Sequence, residues 1–466
     1  MTVFSPMTDA DLRITPEDKE TRLIGLGAEH LARSLVLMAA ENPSVSEWVE
    51  CLIATPTEAL QKYRSKLKQM KDFDGFIPWS EASAFAHEVG AVLDLLRQGA
   101  PDPCSGAALV GEFFALDKVL IERCDDSNGS LGDVFREDAT QLFVEYARDC
   151  SHKEAMADLT AKILKEDDYG VRGELLQTAS QFLPADQLRK LIARYQAQAD
   201  TAVDEYRRRD HLRGVESLAR QLGDAPLFEK TRIAAWGDPS PAACLDIGRV
   251  YFKCDDLDNA RSWLERVPPD ECRESVQRDE LLLTIYPRQG CGNLAIPVAW
   301  RVFRRHRNTN TLDVLIALLG ESERGNVIAE ETAKLLASPQ FILDNAQFLL
   351  QVGSLDDAEQ YVLTHVTAIN GDHYWGLQDL AEELLAADRN LAACVIYRAL
   401  VESILHRGKP KTYHHGVHYL QKLDLLAARV SRWGDWEDHT AYKQRLYQEH
   451  QRKYKFWGTY TGKYGS

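Results

Sequence analysis

Apolar residues along this chain recur every three to four positions in stretch after stretch, and they almost never alternate at every second position as a half-buried strand requires. Between Glu20 and Ala40 the set Leu23, Leu26, Leu31, Leu35 and Met38 lies close to a 3.6-residue period and predicts one amphipathic helix. Thr55-Pro56-Thr57-Glu58 reads as a helix start, with a hydroxyl at the cap, proline at the first helical position and a glutamate placed to close a capping box. Ile77-Pro78-Trp79-Ser80 breaks the chain before a long run, Glu81 to Arg97, that carries Phe85, Val89, Val92, Leu93 and Leu96. Further helical stretches are expected over 155–165, 171–182 and 187–222. The predicted class is all-α.

The middle of the chain adds a register. Gly248, Tyr251, Ala260, Leu264 and Val267 fall at the spacings of a tetratricopeptide (TPR) repeat, in which a small residue on the first helix lets the second approach and an alanine receives it. The same frame returns as Ala346, Leu349, Ala358 and Val362, and again as Ala381, Leu384, Ala393 and Tyr397. Ala358 and Ala393 are 35 residues apart; the 98 residues from Ala260 to Ala358 hold looser pairs around Ala295 and Ala329. Stacked helical hairpins of this kind bury their apolar faces only on one another and grow as an α-solenoid with an extended groove. The expected organisation is an N-terminal helical domain (1–150), irregular helical pairs (151–237), a TPR-like array (238–405) and a C-terminal helical cap with a basic aromatic tail (406–466).

Composition narrows the partners. The 466 residues carry a net charge of −16, which argues against nucleic-acid binding by the whole surface. Residues 401–466 go the other way, with 12 Lys/Arg against 6 Asp/Glu. No apolar run is long enough to span a bilayer, and Met1 to Glu20 is acidic, without the apolar stretch of a signal peptide. The expectation is a cytoplasmic protein with no membrane contact.

Candidate chemistry is sparse. The nine cysteines (Cys51, Cys104, Cys124, Cys150, Cys244, Cys254, Cys272, Cys291 and Cys394) never stand as C-x-x-C or C-x-C, so each is read as a small core hydrophobe rather than a disulfide or zinc ligand. His414, His415 and His418 form a cluster in which His414 and His418 share a helix face at the i,i+4 spacing that chelates metals. No carboxylate lies between Glu402 and Asp424 to complete such a site, and Tyr413, Tyr419 and Leu420 point instead to packing. The loop Asp125 to Asp133 has the look of a calcium loop counted from Asp126, but Leu131 stands where the turn glycine belongs; Ser130 capping the next helix, with Asp133 in its first turn, explains it without an ion. Phosphate-loop, nucleophile-elbow and H-E-x-x-H motifs are missing, and Gly25-Leu26-Gly27 lacks the rest of a dinucleotide fingerprint, so no cofactor is expected.

The stretches Phe76 to Trp79, Glu122 to Phe135, Tyr413 to Leu423 and His450 to Trp457 resemble an uncharacterised bacterial family of all-helical repeat proteins, related to the helical C-terminal region of SWIM zinc-finger proteins. The resemblance covers most of the chain and implies the solenoid. It supplies no activity. Nor does it carry zinc, since Cys150-Ser151-His152 provides only half of the SWIM ligand pattern.

Two surfaces remain as candidates. Trp300 to Arg307 places Arg301, Arg304, Arg305 and Arg307 with two aromatics at one helix end. The guanidinium forks suit carboxylates and phosphates of an acidic partner, or else Trp300 and Phe303 are core and the arginines simply favour the helix C-terminus by its dipole. The tail from Lys453 alternates cations with rings, including Lys455 and Trp457, a pattern that either stacks on single-stranded bases or covers the end of the array. The leading expectation is a non-enzymatic interaction scaffold that binds a protein or peptide segment in its groove. The alternatives are nucleic-acid binding through the tail and a metal-dependent enzyme around the three histidines.

Overall fold

The computed structural model describes residues 16–269 and 273–462. Among them the only β feature is an isolated parallel bridge between Ile77 and Cys124, in which the Ile77 N–H bonds Arg123 O and the Asp125 N–H bonds Ile77 O. The bridge holds the Ile77-Pro78 break extended, and the next helix, Trp79–Gly99, starts two residues ahead of the predicted run. Among the described residues no single helix is long and apolar enough to cross a membrane. The chain divides into two compact units, one comprising the residues up to Ala243 with Val250–Asp255, the other Cys244–Arg249 with the residues from Asp256 on.

In the first unit, helix Pro56–Asp72 opens on the predicted capping box: Glu58 N–H donates to Thr55 Oγ1 and Thr55 N–H to the Glu58 carboxylate. Gly99 lets helix Trp79–Gly99 approach this helix until a Cβ there would lie 2.5 Å from Leu60 N. A continuous apolar core then runs from Ala59 through Phe113, Phe135 and Phe143 to Leu218. Inside it sits an ion pair. Arg172, 3% exposed, grips Asp117, 1% exposed, through two bonds of 2.7 and 2.6 Å and gives a third to Ile163 O.

Several expectations for this unit need correction. The stretch Glu20 to Ala40 is two helices, Pro16–Gly25 and Ala28–Glu41, bent by 107° because Gly27 takes a positive φ. Leu23, Leu26 and Met38 are exposed, so the predicted stripe does not enter the core. Residues 171–182 form only the short helices Glu174–Gln177 and Ala179–Gln181, because the Asp167 carboxylate captures the amides of Val171 and Arg172. The run over 187–222 breaks at Asp204, whose side chain caps a new helix, Glu205–Leu222, after Ala185–Asp200. In the supposed calcium loop it is Asp126, not Ser130, that caps: its two oxygens accept from the amides of Leu131 and Gly132 at 2.8 and 2.9 Å.

The cysteine reading also changes. Cys104 and Cys150, 46 residues apart, form a disulfide with a Cα separation of 4.8 Å. Linear spacing hides it because the pair meets only when Pro103–Phe114 packs on Thr140–Asp149, where Gly106 leaves room for the Tyr146 ring. Cys124, Cys244 and Cys394 are buried as expected, and burial pushes the Cys394 thiol up to about 11. Cys254 is exposed and Cys291 half-buried; the Cys51 side chain and Cys272 lie outside the described residues.

From Pro241 on, four helix pairs share one turn. They are Pro241–Lys253 with Leu257–Leu264, Ser275–Arg288 with Gly292–Arg305, Leu343–Gln351 with Leu355–Thr364, and Tyr374–Ala386 with Asn390–Arg407. Each turn holds one residue with positive φ: Asp255 (62°), Gly290 (71°), Gly353 (79°) and Asp388 (58°). Five positions after each comes an alanine with no exposed surface: Ala260, Ala295, Ala358 and Ala393. Seven positions before each positive-φ residue stand Gly248, Leu283, Ala346 and Ala381. In three of the four pairs both places are small, which lets the paired helices touch closely; Leu283 is the exception. A Cβ on Gly248 would sit 2.8 Å from Leu264 Cγ and 3.3 Å from Ala260 O. The pair Thr309–Leu319 and Arg324–Ala337 departs from this frame: Ala329 is exposed, and Val327, Glu331 and Leu335 face inward instead. An intervening 3₁₀ turn, Glu321–Glu323, rotates the second helix out of register.

Candidate functional site

The arginine-rich helix end lies in the second unit. Phe303 is fully buried against Phe348, with Trp300 packed on its edge, and this anchoring turns the arginines of the same helix toward its neighbours. Arg301 and Arg305 both reach Asp279 on helix Ser275–Arg288, at 3.0 and 3.2 Å, and Arg278 adds a third contact at 2.6 Å. Arg304 and Arg307 reach Glu331 on helix Arg324–Ala337, at 2.9 and 3.1 Å, and Lys334 joins them at 2.9 Å. Both carboxylates are 0% exposed. Burial alone would push the Glu331 carboxyl up, but hydrogen bonds from Arg304, Lys334 and Arg307 outweigh it and hold the group below its ordinary range.

Buried carboxylates of this kind need every partner they have, because an unpaired charge in the interior costs several kcal/mol, about 3–5 when one partner is removed. The arginines are therefore structural in the first instance. They nevertheless converge on an open groove of about 710 Å³ lined by Pro297, Trp300, Arg301, Arg304, Arg305 and Glu330. The Arg304 guanidinium lies over the Trp300 ring at 4.5 Å and keeps 45% of its side chain exposed. Arg307 belongs to the Glu331 side of the cluster and also donates to Asn345, away from the groove lining. Sequence reading found the arginines and missed Asp279 and Glu331. A signal existed: Asp279 shares the buried face of Leu282 and Tyr286, and Glu331 that of Val327 and Leu335, so each acid falls on its helix's apolar stripe.

The three histidines are exposed on helix Tyr413–Leu426 while Tyr413, Val417, Tyr419 and Leu420 face inward. The His414 and His415 rings lie side by side, tilted by 40°, with centroids 3.8 Å apart. Among the described residues no group of three or more His, Cys, Asp or Glu side chains is arranged to hold a metal ion, so the structure does not assemble His414, His415 and His418 into a ligand set. Partial burial, then the neighbouring His414 and His418, push the His415 pKa down.

Most of the described C-terminal rings are occupied. On helix Tyr454–Tyr460, Phe456 is fully buried against Tyr413 and over Gly416, where a Cβ would lie 3.0 Å from its ring. Trp457 donates Nε1–H to His450 O and packs on Tyr447 and Tyr460. Tyr460 donates to Asp424, which also accepts from Lys443 and His439. Lys453 is half-buried and Lys455 exposed. A stacking ladder for single-stranded bases needs free ring faces; of the described tail aromatics, only Tyr454 is well exposed. Asp424, which no sequence pattern singled out, is the hub that pins this end.

Another groove, of about 1050 Å³, lies elsewhere in the second unit and mixes signs, with Arg389 clamped on Asp356 at 2.9 Å and Arg429 and Arg432 in its lining. A search of curated proteins gives no match. A family model matches the chain twice, over residues 19–235 and 207–459. Its description is a family of unknown function, DUF6880, and with nearly all described residues inside the two matches the chain belongs to that family.

Proposed function

We propose that the protein is a non-enzymatic interaction scaffold whose TPR-like hairpins stack as an α-solenoid and bind a segment of a partner protein. The observation that carries this reading is the recurrence of one hairpin: a positive-φ turn with a fully buried alanine five positions on, repeated at Asp255, Gly290, Gly353 and Asp388. Repetition of a close-packed unit is how helical arrays present extended surface without committing it to chemistry. The arginine groove beside Trp300 is the candidate contact within that surface. The reading is tested by affinity capture of the tagged full chain from its native host, followed by mass spectrometry. Recovery of a specific protein that rebinds the purified chain directly supports the scaffold. Recovery of nothing above an unrelated helical control overturns it.

A further inference from the structure

We infer that the groove between Trp300 and Glu330 docks a short acidic polypeptide segment with an apolar side chain next to its carboxylates. The inference rests on the scaffold reading and adds the partner's chemistry.

Hydrogen-bond valence is the first ground. Arg301 and Arg304 commit only their Nε and Nη2 donors, Arg301 to Asp279 and Arg304 to Glu331. The Nη1 group of each has no partner among the described residues, and neither is among the buried unpartnered atoms. A guanidinium held rigidly by one edge and open on the other is a preorganised carboxylate receptor, since little side-chain freedom is left to lose on binding.

Charge is the second. Asp279 is met by Arg278 and Arg301, and Glu331 by Arg304, Arg307 and Lys334, so among these groups cations outnumber the two buried carboxylates. Among the described residues that line the groove the sole acid is Glu330, itself paired with Lys334. This cationic spot sits in a chain of net charge −16. A long polyanion such as nucleic acid would meet that acidic field along most of its length, whereas a short acidic segment meets only the groove. Shape is the third: Pro297 and Trp300 give the groove an apolar wall beside the guanidinium edges, which an aliphatic or aromatic side chain covers.

The experiment titrates the full chain, by fluorescence anisotropy, with three labelled probes: a peptide of Glu-Asp-Glu-Leu repeats, its Gln-Asn-Gln-Leu counterpart and a single-stranded oligothymidylate. The acidic peptide is expected to bind with salt-sensitive affinity and the neutral one to bind about tenfold more weakly or not at all. Arg304→Gln should weaken acidic-peptide binding about tenfold, the worth of one charge-assisted contact. Glu330→Gln removes the groove's own anion and should tighten binding about two- to threefold. Because Glu330 is exposed and serves no buried charge, that variant carries the test if Arg304→Gln does not fold.

Equal binding of the two peptides, or indifference of the acidic peptide to the folded variants, overturns the proposal. Tighter binding of the oligothymidylate with the same Arg304 dependence reassigns the groove to nucleic acid. If a partner captured from the host binds both variants and the parent alike, the groove assignment falls while the scaffold stands. If capture yields no partner, the scaffold reading falls whatever the peptides do.

Discussion

The Cys104–Cys150 disulfide yields the sharpest quantitative expectation. It closes a loop of 46 residues that carries Phe113, Phe114, Phe135 and Phe143, much of the first unit's aromatic core. In the chain-entropy account, opening such a loop returns to the unfolded state a freedom equivalent to about 4 kcal/mol at 25 °C. For a unit of this size each kcal/mol shifts the unfolding midpoint by about 2–4 °C, so reduction should lower it by roughly 8–16 °C. The assay is thermal unfolding followed by circular dichroism, with and without a thiol reductant. A Cys104→Ser/Cys150→Ser variant should melt at the lower temperature in both conditions, which separates this bond from any effect on other thiols. Peptide mapping of unreduced protein should recover the two cysteines linked. Coincident midpoints, or a map with both thiols free, would refute the reasoning. Thiol trapping in the native host then reads the compartment, because a cytosolic glutathione pool keeps most such bonds reduced.

Three further outcomes follow from buried contacts. Arg172→Met should cost about 3–5 kcal/mol in urea unfolding by stranding Asp117, and adding Asp117→Leu should recover most of it; no recovery would mean the pair is not the source of the loss. Phe456→Ala removes a fully buried ring from the C-terminal end and should cost about 3–5 kcal/mol, with faster proteolysis after residue 439; an unchanged cleavage pattern would count against the capping role. Burial, opposed by Asp424, lowers the pKa of His439; burial and His406 lower that of His450. Groups with a folded pKa below their unfolded 6.5 stabilise above that pH, and the contribution is lost as pH falls and the unfolded chain takes protons first. A His439→Gln/His450→Gln variant should therefore lose less of its unfolding temperature between about pH 7.5 and 5.5 than the parent does. An identical pH dependence in the two proteins would sink this assignment.

Local information carried the helix class, the Thr55 capping box and the Gly248–Ala260 contact, because each depends on residues within about one hairpin of one another. The periodic frame reached Ala295, Ala358 and Ala393 for the same reason, and failed at Ala329, where a three-residue turn changed the phase of the helix after it. Of the candidate site, the arginines were visible in sequence as a basic run. Their anchors were not, since Asp279 and Glu331 look like ordinary solvated acids until the apolar stripe around them is traced.

What the amino-acid order determined by itself is the helical class and the short-range packing of paired helices, both set by side chains within about one hairpin of one another. Tertiary structure alone decided the long-range choices: Cys104 joined to Cys150, Arg172 to Asp117, the tail rings turned onto Gly416 and Asp424, and four arginines divided between two buried acids. Each of those joins residues more than twenty positions apart. Which distant partner a charge or thiol meets depends on how whole helices pack, and no local period encodes that.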